Sequence, residues 1–188
     1  MIKIGITGSL ASGKTTASKF LSFKRGPLFS ADTCVKKLYQ NKSFKSLIRK
    51  KFKINNKNQI KESLKKKFLE NKKILKKLEK IIHPYVRKNM KKFTLRHKNK
   101  KLVFYEIPLL IESKLMSFFD IIIFIKASKK KRLKRFKIKQ GNEKLFNFLN
   151  QQQIEDKKKI KYCNYVVVNE KNLIILKKKL LAIIKNYE

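Results

Sequence analysis

Apolar and polar positions along the chain follow two rhythms. Short, nearly continuous apolar runs fall at Ile2 to Thr7, Pro27 to Phe29, Leu102 to Ile107, Asp120 to Ile125 and Tyr165 to Val168. Their length and β-branched content predict strands. The stretch Ile121 to Ile125 is apolar throughout, as a parallel strand covered on both faces requires. Between the runs the spacing changes. Leu64, Phe68, Leu75, Leu78 and Ile82 recur three, four or seven apart in a lysine-rich stretch from Val35 to about Arg96, the signature of one helix face. Lys14 to Phe20, Lys129 to about Lys161 and Leu173 to Ile184 also read as helical. Five short strands separated by helices predict an α/β chain with a doubly wound, five-stranded parallel sheet.

Composition narrows the surroundings. The longest apolar run near the middle is strand-sized, far below the roughly 20 residues of a membrane span. The opening Met1 to Ile6 is too soon interrupted to serve as a secretory core. These features predict a cytoplasmic chain with no membrane partner. Two cysteines, Cys34 and Cys163, make neither a metal-spacing pattern nor a disulfide framework. The charge is extreme: 51 Lys+Arg against 12 Asp+Glu, a formal net charge of +39. Such a field ordinarily points to a polyanion. Yet only Arg25, Arg49, Arg87, Arg96, Arg132 and Arg135 are arginines, and the favoured Lys, Ile, Asn and Phe all have A/T-rich codons. Lysine runs also occur throughout (Lys65–Lys67, Lys129–Lys131, Lys157–Lys159, Lys177–Lys179) instead of in one arm. The charge therefore reads as compositional drift before it reads as a dedicated nucleic-acid partner.

The densest chemical signal is Gly8-Ser9-Leu10-Ala11-Ser12-Gly13-Lys14-Thr15, a complete G-x-x-x-x-G-K-[ST] between a strand and a helix. In such a loop the glycines allow close backbone approach, and the N–H groups with the helix N-terminus form a nest for phosphates. Lys14 would reach the β- and γ-phosphates, and the Thr15 hydroxyl would ligate Mg²⁺. ATP and Mg²⁺ are thus the expected ligands, with Gly8, Ala11, Ser12, Gly13, Lys14, Thr15 and Thr16 around them. The chain has three aspartates, Asp32, Asp120 and Asp156. Asp32 follows the second strand, where a switch-point crevice would put it near the phosphates. A kinase needs a carboxylate to accept the acceptor hydroxyl's proton; a helix cap is the structural alternative there. Neither N-K-x-D nor D-x-x-G occurs, against a GTPase.

Several stretches carry a resemblance. Ile4 to Thr16 is similar to the opening G-L-T-G-G-I-G-S-G-K-S-T of the dephospho-CoA kinase family, and Ser30-Ala31-Asp32 to its D-A-D element. Leu78 to Arg87 resembles L-E-x-I-x-H-P-x-V-R, and Ile107-Pro108-Leu109-Leu110-Ile111-Glu112 resembles V-P-L-L-F-E. Arg132-Leu133-Lys134-Arg135 resembles Q-L-x-R, and Gln153, Lys159 and Asn169 fall in a tail of the form Q…K-L-x-x-A-D-x-V-I-D-N. The resemblance implies a single three-layer, nucleotide-kinase-like P-loop NTPase fold over 1–188. Its core would be 1–32, 101–127 and 162–188, with a helical substrate region over 33–100 and a lid over 128–161. It also implies ATP-dependent phosphorylation of the ribose 3′-hydroxyl of dephospho-CoA, the last step of coenzyme A synthesis. Asp32 would be the base, Arg135 a phosphate-stabilising group, and His83 and Lys61 substrate contacts.

The chain departs from the family at several points. Ser30 replaces the first Asp of D-A-D, Ser9 and Ala11 replace loop glycines, and Lys61 stands where an arginine is expected. Lys139-Gln140 replaces Arg-Asp in the lid, and Val168 replaces the Asp of I-D-N. Lysine keeps the charge of arginine but loses its bidentate fork. Among the remaining candidates, Glu106 ends a strand near the loop and is a candidate for organising Mg²⁺ through water. Glu112 reads either as a site carboxylate or as a helix-start acid. His83, before Pro84, reads either as a substrate contact or as packing at a helix-to-helix turn, and His97 as solvent-exposed. Two other functions fit the loop alone: a kinase for another nucleoside or nucleotide, and a basic nucleic-acid-binding P-loop protein.

Overall fold

The computed structural model describes residues 1–55 and 60–188. All five apolar runs form strands: β1 (Ile2–Thr7), β2 (Leu28–Ser30), β3 (Leu102–Glu106), β4 (Ile121–Lys126) and β5 (Tyr165–Val168). They make one sheet in the order β2-β3-β1-β4-β5, with every neighbouring pair parallel. The chain winds from central β1 toward β2 and β3 on one side, then toward β4 and β5 on the other. The order therefore reverses at the carboxyl end of β1, the position at which open α/β sheets open a crevice.

Alternation along the strands builds two apolar faces. On one, Ile4, Ile6, Leu102, Phe104, Ile121, Ile123, Ile125 and Val167 pack with helices α1 (Lys14–Ser22) and α9 (Leu173–Ile184). The helices contribute Ala17, Leu21, Leu176, Leu180 and Ile184. On the other, the fully buried Tyr105 ring lies 5.4–6.1 Å from Phe29, Phe93, Phe118 and Phe119. Its hydroxyl is 2.7 Å from Thr94 Oγ1, so the one polar atom of this aromatic cluster is hydrogen-bonded. His97, expected in solvent, instead packs edge-on against Phe93 at 4.6 Å.

The chain divides into two compact units, 1–31 with 93–188, and 32–92. The smaller unit holds most of the lysine-rich stretch, which is broken into α2 (Ala31–Leu38), α3 (Lys42–Phe52), α4 (Ile60–Glu70) and α5 (Lys72–Arg96). The breaks are local chemistry. Asn41 caps α3 by accepting from Phe44 N, Lys53 ends it in a left-handed conformation, and Asn71 accepts from Lys73 N ahead of α5. Phe44, Ile48, Phe52, Ile54, Ile60, Leu64 and Leu78 form this unit's core. Part of the helical expectation, residues 56–59, lies outside the described residues. His83 and Pro84 are not at a turn between helices: α5 runs straight through them. Proline inside a helix removes one hydrogen bond, but Leu78, Val86 and Met90 anchor the helix on both sides of it. The 128–161 stretch is likewise three helices, α6 (Lys129–Ile138), α7 (Glu143–Gln151) and α8 (Asp156–Ile160), the first two capped by Ser128 and Asn142.

Candidate phosphate-transfer site

The loop after β1 has a conformation that its two glycines permit. Gly8 has φ 148°, and a Cβ there would lie 2.3 Å from the Ile125 carbonyl oxygen. Gly13 has φ 103°, and a Cβ there would lie 2.3 Å from Asn169 Nδ2. Ala11 is also left-handed, at φ 59°. Gly13 stands at the N-cap of α1, with no side-chain cap and no acid in the first turn. The positive end of the helix dipole is thus left for an anion. Lys14 is 8% exposed, and its ammonium donates to the Ser9 carbonyl at 2.8 Å. Folding that side chain back across the loop places one charge at the mouth of the nest.

Thr15 and Thr16 follow on the exposed start of α1. The Thr15 hydroxyl donates to Glu106 Oε1 at 2.5 Å. Glu106 is 2% exposed and ends β3, in register with Ile6 of β1 and Ser30 of β2. A buried carboxylate and a hydroxyl at the carboxyl edge of the sheet are hard oxygen donors, the kind Mg²⁺ takes together with substrate phosphates. No cluster of three or more His, Cys, Asp or Glu capable of holding a metal occurs among the described residues. A cation here would take its other ligands from the nucleotide and water.

A ring of side chains from 132–169 grips the loop backbone. Arg132 is 6% exposed and donates to the Leu10 carbonyl at 3.3 Å, to the Ala127 carbonyl at 3.2 Å and to Asn150 Oδ1 at 2.7 Å. Gln153 Oε1 accepts from Leu10 N at 3.0 Å, and the Ser9 hydroxyl donates to Asp156 Oδ1. Arg135 donates to the Ser12 carbonyl at 3.2 Å and to the Asn169 carbonyl at 3.1 Å, and Asn169 Nδ2 also donates to the Ser12 carbonyl at 2.9 Å. Arg135 is therefore tied to the rim of the loop. Arg132 and Asp156 lie beside it although the sequence marked Arg132 only as a motif residue and Asp156 as part of a polar helix. Glu112 sits in a turn instead of starting a helix, and its Oε1 is 2.6 Å from the ammonium of fully buried Lys159. The Lys159 position in the tail resemblance was the available signal for that ion pair.

The remaining expected residues belong to the 32–92 unit. Asp32 is exposed in the first turn of α2, a favourable place for a carboxylate against the helix dipole. The Lys61 ammonium lies 5.5 Å from the Tyr39 ring centroid, a cation–π contact. His83 is half-buried, and burial first, then the nearby Arg87 charge, pushes its pKa below the ordinary imidazole value. Both effects favour the neutral ring.

Comparison with known proteins places this arrangement. The family model for dephospho-CoA kinase matches residues 2–174. A dephospho-CoA kinase of Bartonella henselae is 36% identical, with 97% of this chain and 96% of that protein covered. One of Fusobacterium nucleatum is 35% identical, with 94% and 93% covered. Among solved structures, a Thermus thermophilus protein superposes with a TM-score of 0.81 at 25% identity, over 100% of this chain and 98% of that one. A deoxyadenosine kinase from M. mycoides with bound dATP shares the fold at a TM-score of 0.60 and 19% identity, over 98% and 100%.

Proposed function

The chain belongs to the dephospho-CoA kinase family, and we propose that it moves the γ-phosphoryl group of ATP to the ribose 3′-hydroxyl of dephospho-CoA. The loop carries the phosphoryl-donor half of this reading, and the family supports the acceptor. A complete phosphate-binding sequence adopts the left-handed conformation that turns its backbone inward, with Lys14 across its mouth and Thr15 bonded to a buried carboxylate. In the transfer, the acceptor oxygen bonds to the γ-phosphorus as the bond to the β,γ-bridging oxygen breaks, and ADP leaves. Charge spreads over the phosphoryl oxygens in a loose transition state. Lys14 follows that charge, and the Gly13–Thr16 end of α1 holds the β-phosphate.

Thr15 and Glu106 would hold Mg²⁺, Glu106 through water, which supplies neutralisation of the β,γ-oxygens. Asp32 orients the 3′-hydroxyl and takes its proton. Positioning is its larger contribution, because little new bonding exists at the transition state. Arg135 stabilises charge from the loop rim. His83 and Lys61 contact the acceptor, His83 as a neutral ring. The helical region 33–100 serves as the acceptor side and 128–161 as the lid. Lysines occur in every described helix from α1 to α9, so the charge is read here without a dedicated nucleic-acid partner.

A coupled ADP-release assay over a panel of acceptors tests the reading. Turnover with dephospho-CoA well above that with nucleosides and nucleoside monophosphates is the expected result. Turnover only with a nucleoside or its monophosphate would replace dephospho-CoA with that acceptor.

A further inference from the structure

We propose that Arg132 and Gln153 are positioning residues that hold the phosphate loop in its binding conformation before nucleotide arrives. This proposal rests on the reading of that loop as the ATP site. The starting point is Ala11, the one loop residue that combines a Cβ with a left-handed backbone, φ 59°. For an L-residue with a side chain that conformation is sterically unfavourable, and it persists only where its surroundings over-determine it.

Both peptide planes flanking Ala11 are held. The plane between Leu10 and Ala11 is fixed through its carbonyl, which accepts from the Arg132 guanidinium at 3.3 Å. The plane between Ala11 and Ser12 is fixed through its N–H, which donates to the Ser9 carbonyl at 3.1 Å. That carbonyl also takes the Lys14 ammonium, so the same contact sets the catalytic lysine. One peptide earlier, Gln153 Oε1 takes Leu10 N at 3.0 Å. Arg132 is in turn locked by Ala127, by Asn150 and by the Phe146 ring, 5.6 Å from the guanidinium carbon. The Leu10–Ala11 plane is therefore constrained from outside the loop, and the Ala11–Ser12 plane from within it. Neither side chain needs to touch a phosphate to act.

Glycine adopts the left-handed region at no steric cost, and this gives a test that a general loss of stability does not mimic. Dissociation constants for a fluorescent ATP analogue are measured for the parent, Arg132→Lys, Ala11→Gly and the double variant, with melting temperatures alongside. The lysine keeps the charge and loses the fork that spans the three acceptors. The expected loss of affinity is about tenfold for Arg132→Lys against the parent, but under about threefold when the same change is made on the Ala11→Gly background. Gln153→Ala, whose polar side chain is only half-buried, is expected to show a smaller loss with the same relief by Ala11→Gly. It carries the test if Arg132→Lys does not fold. Equal losses on both backgrounds, or no loss on the parent, would overturn the proposal. Because the readout is nucleotide binding without acceptor, it stands or falls separately from the identity of the acceptor. A parent that binds no ATP analogue contradicts both this inference and the reading beneath it.

Discussion

In the proposed transfer Asp32 and Lys14 divide the chemistry between them, and their surroundings differ. Lys14 is buried with its ammonium on a loop carbonyl, whereas Asp32 is exposed at the start of α2. Removing the carboxylate's charge should leave the phosphate loop untouched. Asp32→Asn is expected to keep ATP affinity while losing roughly 10²–10⁴-fold in transfer rate, the range of a general base. Single-turnover kinetics beside an ATP-analogue titration checks this; parent-like transfer would reduce Asp32 to a helix-terminus acid. At this scale the sequence was informative wherever a motif fixes a spacing. Gly8 and Gly13 have positive φ, and Lys14 and Thr15 open α1. Asp156 and Arg132 were not recognisable as loop contacts, because each reaches the loop across more than a hundred residues of chain, and no local spacing encodes that meeting.

Among the elements, α9 shows how much of the fold follows from simple alternation. Leu176, Leu180 and Ile184 repeat every four residues and all meet the sheet, the spacing of one helix face. Leu180 has no exposure. Leu180→Ala should therefore cost about 2–5 kcal/mol of unfolding free energy, read from urea denaturation. The long lysine-rich stretch was harder to read, since its periodicity continues across breaks made by single residues such as Asn41 and Lys53. The reverse error arose at His83 and Pro84, where proline signals a boundary but buried neighbours on both sides carry α5 through. His83 in that helix supplies a pH effect with a definite sign. Its folded pKa lies below the ordinary 6.5, so the unfolded chain binds the proton more tightly. Its stabilising contribution is present above that value and is lost as pH falls through the lower, folded pKa. His83→Gln should flatten the decline of melting temperature with acidification below about pH 6.5 relative to the parent. Parallel curves would contradict the assignment.

For the whole molecule, the dominant quantity is the net charge of +39. Mutual repulsion on that scale opposes compactness, and it also draws polyphosphate substrates inward. Raising NaCl from about 20 to about 300 mM should raise the melting temperature while lowering kcat/KM for ATP, because both effects act over a Debye length. A melting temperature indifferent to salt would show that the charge is already neutralised locally. No helix among the described residues is long and apolar enough to cross a membrane. Five strands in one parallel sheet were legible from the apolar runs; their order was not, since each pairing joins segments distant in sequence. The strand runs did not mark the division into 1–31 with 93–188 and 32–92; only the family resemblance set a 33–100 region apart. If the loop and its lysine drive phosphoryl transfer, Lys14 is the residue on which the rate depends most. The most direct test is the rate at which radiolabelled γ-phosphate from ATP appears on dephospho-CoA with the parent and with Lys14→Ala. Transfer by the parent and a loss of at least about a thousandfold in a folded Lys14→Ala variant are expected; near-parent transfer by that variant would show that the lysine does not drive the reaction.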